Sequence, residues 1–125
     1  WIADETTRVP PENRKLVTDH MLFGYFAAKY GFEVVGAVIP SYSSMAQPSA
    51  RDLAVLEDAI RQYGVKVILV GNTVNPALSS RVASDTGIEL VPFYTGSLST
   101  PDGPAATYLD YMRYNVSVIV DALAK

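Results

Sequence analysis

Residues 65–94 read VKVILVGNTVNPALSSRVASDTGIELVPFY, and the fold class follows from them. Val65 to Val70 is an almost continuous apolar run, the pattern of a strand covered on both faces. Gly71 to Pro76 is turn chemistry that ends with Asn75 as the N-cap and Pro76 at the first position of a helix. That helix runs to about Thr86, Gly87 breaks it, and Ile88 to Tyr94 returns to strand composition. Strand, helix, strand in close succession is the unit of a parallel sheet, because parallel neighbours need a crossover between them.

The same alternation extends outward in both directions. Upstream, Glu33 to Ile39 (EVVGAVI) is another apolar strand, and Ser49 caps a helix with Leu53, Leu56, Ile60 and Tyr63 on one face before Gly64 stops it. Earlier still, Lys15 to Asp19 (KLVTD) predicts the first strand. Leu22, Phe23, Phe26, Ala27 and Tyr30 follow at helical spacing, with Gly31 as the stop. Downstream, the loop TGSLSTPDGP leads to a last helix carrying Leu109, Met112, Val116, Ile119, Val120 and Leu123. The prediction is an α/β three-layer sandwich: one four-stranded parallel sheet flanked by helices, without internal repeat or second domain.

Composition narrows the function. The 125 residues are 49% hydrophobic, enough for the core of one domain, while a net charge of -3 supplies no basic surface for phosphates and argues against nucleic acid as a partner. The absence of cysteine removes thiolate metal sites, cysteine nucleophiles and disulfides together. No apolar run approaches the roughly 20 residues of a membrane helix. The chain opens on Trp1 rather than Met, so a processed protein or a cloned fragment is expected.

Ligands of such sheets bind beyond the carboxyl ends of the strands, where DHM, GNTVN and YTGSLS stand in this sequence. Neither G-x-x-x-x-G-K-[ST] nor G-x-G-x-x-G is present. GNTVN and YTGSLS could still cradle an anion, the basis of an alternative reading as a small flavodoxin-like nucleotide- or phosphate-binding enzyme domain. A hydrolytic site would need His20 as base with Ser97 or Thr73 as nucleophile, and no G-x-S-x-G elbow exposes either hydroxyl. Glu57, Asp58, Asp85 and Asp110 fall on predicted helices as solvated faces. His20, the sole histidine, closes the first strand: there an imidazole is either a metal ligand or a hydrogen-bonded bystander.

Taken together, VTDHMLFGYFAAKYGFEVVGAVIP, SARDLAVLEDAIRQYGVKVILVGNTVNPALSSRVASDTG and LVPFYTGSLSTPDGPAATYLDYMRYNVSVIVDAL resemble the C-terminal lobe of the metal-binding proteins of zinc and manganese ABC importers. The resemblance implies one lobe of a two-lobe, non-enzymatic solute-binding protein. It would be extracytoplasmic, either periplasmic or lipid-anchored, and would work with a membrane permease. Residues 1–14 would be the end of the helix joining the lobes plus a connector, and residues 15–125 the metal-binding lobe.

The resemblance also implies a metal ion between the lobes, held by two histidines of the missing N-terminal lobe and by strand-end residues of this one. Of the latter, His20 matches a family ligand. A family Glu after VILV is Gly71 here, and the Asp of a YTDSL-like motif is Gly96. Glycine cannot replace a carboxylate. Either the site is built from three histidines, which favours Zn2+ over Mn2+, or metal binding is lost or rebuilt. Asp19 is expected to face solvent or cap the loop rather than hold the imidazole. The isolated lobe is expected to bind zinc weakly or not at all. It is also expected to self-associate through Trp1, Ile2, Met21, Tyr42, Met45 and Leu98.

Overall fold

The computed structural model describes residues 1–20, 23–39, 48–73 and 75–125. Met21, Leu22, Tyr42 and Met45 lie outside the described residues. In chain order the elements are α1 (Ile2–Thr6), a 3-10 turn (Pro11–Asn13), β1 (Lys15–His20), α2 (Gly24–Tyr30), β2 (Glu33–Ile39) and α3 (Ala50–Tyr63). They continue with β3 (Val67–Gly71), α4 (Ala77–Thr86), β4 (Glu89–Phe93) and α5 (Tyr108–Leu123). The strands form one parallel sheet in the order β2-β1-β3-β4, as the alternation of periods predicts.

Alternate strand residues supply two cores. Leu16, Val67, Leu69, Val91 and Phe93 face Ala27 of α2 and Val116, Ile119, Val120 and Leu123 of α5. Val17, Val38, Ile68 and Val70 face Leu56 and Ile60 of α3 and Val82 and Ala83 of α4. This period-two division turns apolar strand runs into the middle layer of a three-layer sandwich. It also places the binding crevice. β1 and β3 are neighbours in the sheet, yet α2 leaves β1 onto one face and α4 leaves β3 onto the other. The gap between their carboxyl ends is therefore the topological switch point.

Local boundaries differ from the sequence prediction for identifiable reasons. β1 extends through His20 and β3 through Gly71, so both lie within the sheet rather than in the loops after it. Val65, assigned to the third strand, precedes it but is still buried. α2 starts at Gly24, because Phe23 takes a left-handed conformation (φ 69°) and cannot belong to the helix. α4 has Pro76 as its N-cap, with the Asn75 carboxamide oxygen accepting from the Ala77 N–H at 3.0 Å. Leu109, expected on the buried stripe of α5, is exposed. Ser49 does cap α3, exchanging hydrogen bonds with Asp52 in a capping box.

The N-terminal segment is fixed to the rest of the chain. The Arg14 guanidinium donates to the carbonyls of Thr6 (3.0 Å), Val9 (3.0 Å) and Tyr30 (3.3 Å), and the Asn13 amide donates to the Leu123 carbonyl at 2.9 Å. Arg8 pairs with Asp121 of α5 at 3.0 Å. Val9 is fully buried between these ties.

Candidate functional site

The carboxyl end of β1 is tied to that of β3 by a single carboxylate. Asp19 is 1% exposed; its Oδ1 accepts from the His20 N–H at 2.8 Å, and its Oδ2 accepts from the Gly71 N–H at 2.9 Å. The Thr18 hydroxyl donates to the His20 carbonyl. These bonds hold the last residues of the strand, and His20 keeps its side chain 14% exposed with Nδ1 3.8 Å from Asp19 Oδ2. Asp19 does not cap a loop: its N–H partners are the last residues of β1 and β3. The expected solvent exposure is wrong, because both carboxylate oxygens accept main-chain donors inside the sheet.

His20, Gly71 and Gly96 lie at the same end of the sheet. Gly71 pairs with Phe93 at the end of β4, and the chain turns at Gly96 (φ 69°), where a Cβ would come within 3.9 Å of the Thr73 hydroxyl. The two glycines are not equivalent gaps. Position 96 has open space but a left-handed backbone that L side chains resist. Position 71 has no space: a Cβ there would overlap the Thr95 hydroxyl and lie 3.4 Å from Asp19 Oδ2. Thr95 and Asp19 together fill the volume that a β3 carboxylate would require.

Two asparagines fix the neighbouring loops. Asn72 accepts from the Thr95 N–H at 2.9 Å, and its amide lies 3.4 Å from Ser97 Oγ. Asn115, buried in α5, both accepts from the Tyr94 N–H (2.9 Å) and donates to the Tyr94 carbonyl (2.8 Å), securing the exit of β4. The N–H groups of Gly71, Thr95 and Ala77 are thus already taken by side chains of this chain, which weakens the anion-cradle reading. Among the described residues no hydrogen bond joins His20 to Ser97 or Thr73, so the hydrolytic arrangement is not assembled. Among those residues no three His, Asp or Glu side chains gather into a set able to hold a metal ion.

Sequence reasoning put His20 at the right end of the right strand but missed the roles of Asp19, Thr95 and Asn115. The only sequence signal for Asp19 was its place beside the sole histidine. Thr95 could be suspected only through its adjacency to Gly96, and Asn115 was hidden as one polar position in an apolar helix. Of the carboxylates read as solvated, Asp58 is 82% exposed, whereas Glu57 keeps only 17% and packs towards Asp85. Burial first, then the neighbouring Asp85 carboxyl, raises the Glu57 pKa above its ordinary value.

Known proteins share this fold. The chain is 29% identical over 126 residues to the manganese-binding lipoprotein MntA of Halalkalibacterium halodurans, and 31% identical over 134 residues to the zinc-binding protein TroA of Treponema pallidum. Both matches take in all of this chain but only 41% and 42% of those proteins, so the chain spans about two-fifths of their length. Among solved structures, the periplasmic zinc-binding protein TroA of T. pallidum superposes with a TM-score of 0.88 at 25% identity, over 99% of this chain and 46% of that one. The Mn-bound periplasmic metal-binding protein of Candidatus Liberibacter asiaticus gives 0.83 at 29% identity, over 98% and 44%. A family model described as ZnuA, the periplasmic component A of a zinc-uptake complex, matches residues 1–122. The chain belongs to the ZnuA family of periplasmic zinc-uptake components.

Proposed function

We propose that this chain is the C-terminal metal-binding lobe of an extracytoplasmic solute-binding protein that delivers a divalent metal ion to an ABC-transporter permease. The observation that carries the proposal is the placement of His20, a mostly buried imidazole that keeps some exposure at the carboxyl end of β1, at the same end of the sheet as Gly71 and its switch point. A binding lobe needs a ligand atom at a crevice and no activated nucleophile, and its task ends with capture and release. Residues 1–14 act as the end of the interlobe helix and its connector, held to the lobe by Arg14 and Asn13.

Zinc is favoured over manganese as cargo. This lobe presents an imidazole and, with glycine at 71 and 96, no carboxylate from either position, whereas manganese prefers carboxylate oxygen. The remaining ligands come from the other lobe of the complete polypeptide. Trp1, Leu98, Tyr108 and Leu109 are exposed apolar residues, an arrangement that suits burial against that lobe and self-association when it is missing.

The test is calorimetric titration of the complete polypeptide with zinc and with manganese, for the parent protein and for His20→Ala. Zinc should bind more tightly than manganese, and His20→Ala should weaken zinc by several orders of magnitude, since removing one of few ligands opens the site. Parent-like zinc affinity in His20→Ala would make the imidazole a bystander, and tight binding of a phosphate-bearing ligand without metal would favour the nucleotide-binding alternative.

A further inference from the structure

Asp19 is a charged side chain, 1% exposed, with two main-chain N–H partners and spare accepting capacity. A carboxylate offers about four lone-pair positions and gains from each donor once it is out of water. Beside it stands the imidazole of His20, whose Nδ1 lies 3.8 Å from Oδ2. That distance exceeds a direct hydrogen bond but sets the carboxylate next to Nδ1 rather than Nε2 as the recorded close approach.

We infer that Asp19 is a positioning residue for His20: it favours the tautomer with hydrogen on Nδ1 and so leaves the Nε2 lone pair directed outward for a metal ion. The inference deepens the proposed function and rests on it for the identity of the cargo, but the tautomer itself does not. Asp19 does not coordinate the ion, because its oxygens are buried and engaged with the His20 and Gly71 N–H groups. It holds the imidazole from behind, the usual place for a carboxylate partner of a ligating histidine.

The same Asp19 Oδ2 holds β3 at Gly71, accepting its N–H at 2.9 Å, and a Cβ there would lie in ordinary contact with this oxygen at 3.4 Å. β3 thus offers no carboxylate at position 71, while Asp19 of β1 stands beside it and keeps the Gly71 N–H bonded through Oδ2.

The experiment uses the single histidine of the chain, which gives one assignable pair of side-chain nitrogen resonances. Nitrogen-15 NMR of this chain, at a pH where the imidazole is neutral, reads the tautomer directly. The expected result is a predominance of hydrogen on Nδ1 in the parent, lost in Asp19→Asn in favour of the Nε2–H form. The same substitution in the complete polypeptide should weaken zinc binding by about 10–100-fold. A parent chain with hydrogen mainly on Nε2 would overturn the inference whether or not the variant folds. So would an Asp19→Asn chain that keeps the parent tautomer and zinc affinity. If the Nδ1–H form is found but zinc in the complete polypeptide perturbs neither His20 nitrogen, the positioning geometry stands and the metal-ligand reading of His20 fails.

Discussion

Replacing Gly71 with alanine should destabilise the chain, and cutting Thr95 back to alanine should remove most of that cost. The new methyl would overlap the Thr95 hydroxyl while standing 3.4 Å from both Thr95 Cβ and Asp19 Oδ2, so one contact is at fault and the others are ordinary. Thr95 is β-branched and stiff about χ1, and its backbone is held by the 2.9 Å bond from its N–H to Asn72. Relief therefore requires an unfavourable rotamer or movement of the loop, and overpacking of this kind costs about 1–3 kcal/mol. Thr95→Ala alone removes a half-buried hydroxyl and should cost less than about 1 kcal/mol. The double variant should then show a favourable coupling of about 1–2 kcal/mol. Urea denaturation of the four proteins, read by far-UV circular dichroism at constant slope, closes the cycle. A Gly71→Ala cost below about 0.5 kcal/mol, or a coupling indistinguishable from zero, would refute the idea that Thr95 fills the volume of the absent side chain. Gly71→Glu should be worse than alanine, because it brings a second carboxylate towards buried Asp19.

Asn115→Ala should destabilise by about 2–3 kcal/mol, since it leaves both the N–H and the carbonyl of Tyr94 without their side-chain partner, and chemical denaturation measures the loss. Glu57→Gln should gain stability at neutral pH, by under about 1 kcal/mol, as the side chain keeps some solvent and Arg61 lies 4.0 Å away. The sign follows from the raised pKa of Glu57: its protonated form is favoured by folding, so that contribution is full below the unfolded carboxylate pKa and is lost as pH rises through the folded one. The advantage of the glutamine variant should accordingly vanish on acidification, and a pH-independent difference would show that folding does not raise the Glu57 pKa.

The layers of this fold were legible because they depend on periodicity. Leu16, Val67 and Leu69 alternate with Val17, Ile68 and Val70 between two cores, and a strand buried on both faces can only read as continuous apolar sequence. Gly31, Gly64 and Gly87 end their helices in left-handed conformations, which is why glycine works as a stop signal. The strand ends were less legible, because their chemistry depends on partners far apart in sequence. Asp19 alternates with His20 along an extended strand and so should face away from it. Its reach to the N–H of Gly71 depends on the neighbouring β3, which periodicity does not encode. The fit of Thr95 to Gly71 likewise joins residues on different strands, and the exposure of Leu109 reflects its place in the first turn of α5, beyond the reach of the sheet.

The interactions that build the sheet are separate from the residues at positions 71 and 96. The sheet is fixed by two apolar cores and by side-chain ties such as Asn115 to Tyr94 and Asn13 to Leu123. None of these involves a side chain at 71 or 96. Exchange at either position therefore alters what the crevice offers to a ligand without touching the interactions that hold the crevice open. The changes at position 71 are nevertheless not free, since its volume is shared with Thr95 and its N–H with Asp19. A carboxylate could return there only with a smaller residue at 95 and another acceptor arrangement at 19. Position 96 answers to a different constraint, its left-handed backbone, so a carboxylate there demands a change of loop conformation rather than of packing. The two glycines are thus open to independent substitution, position 71 being limited by its packing against Thr95 and position 96 by its backbone conformation.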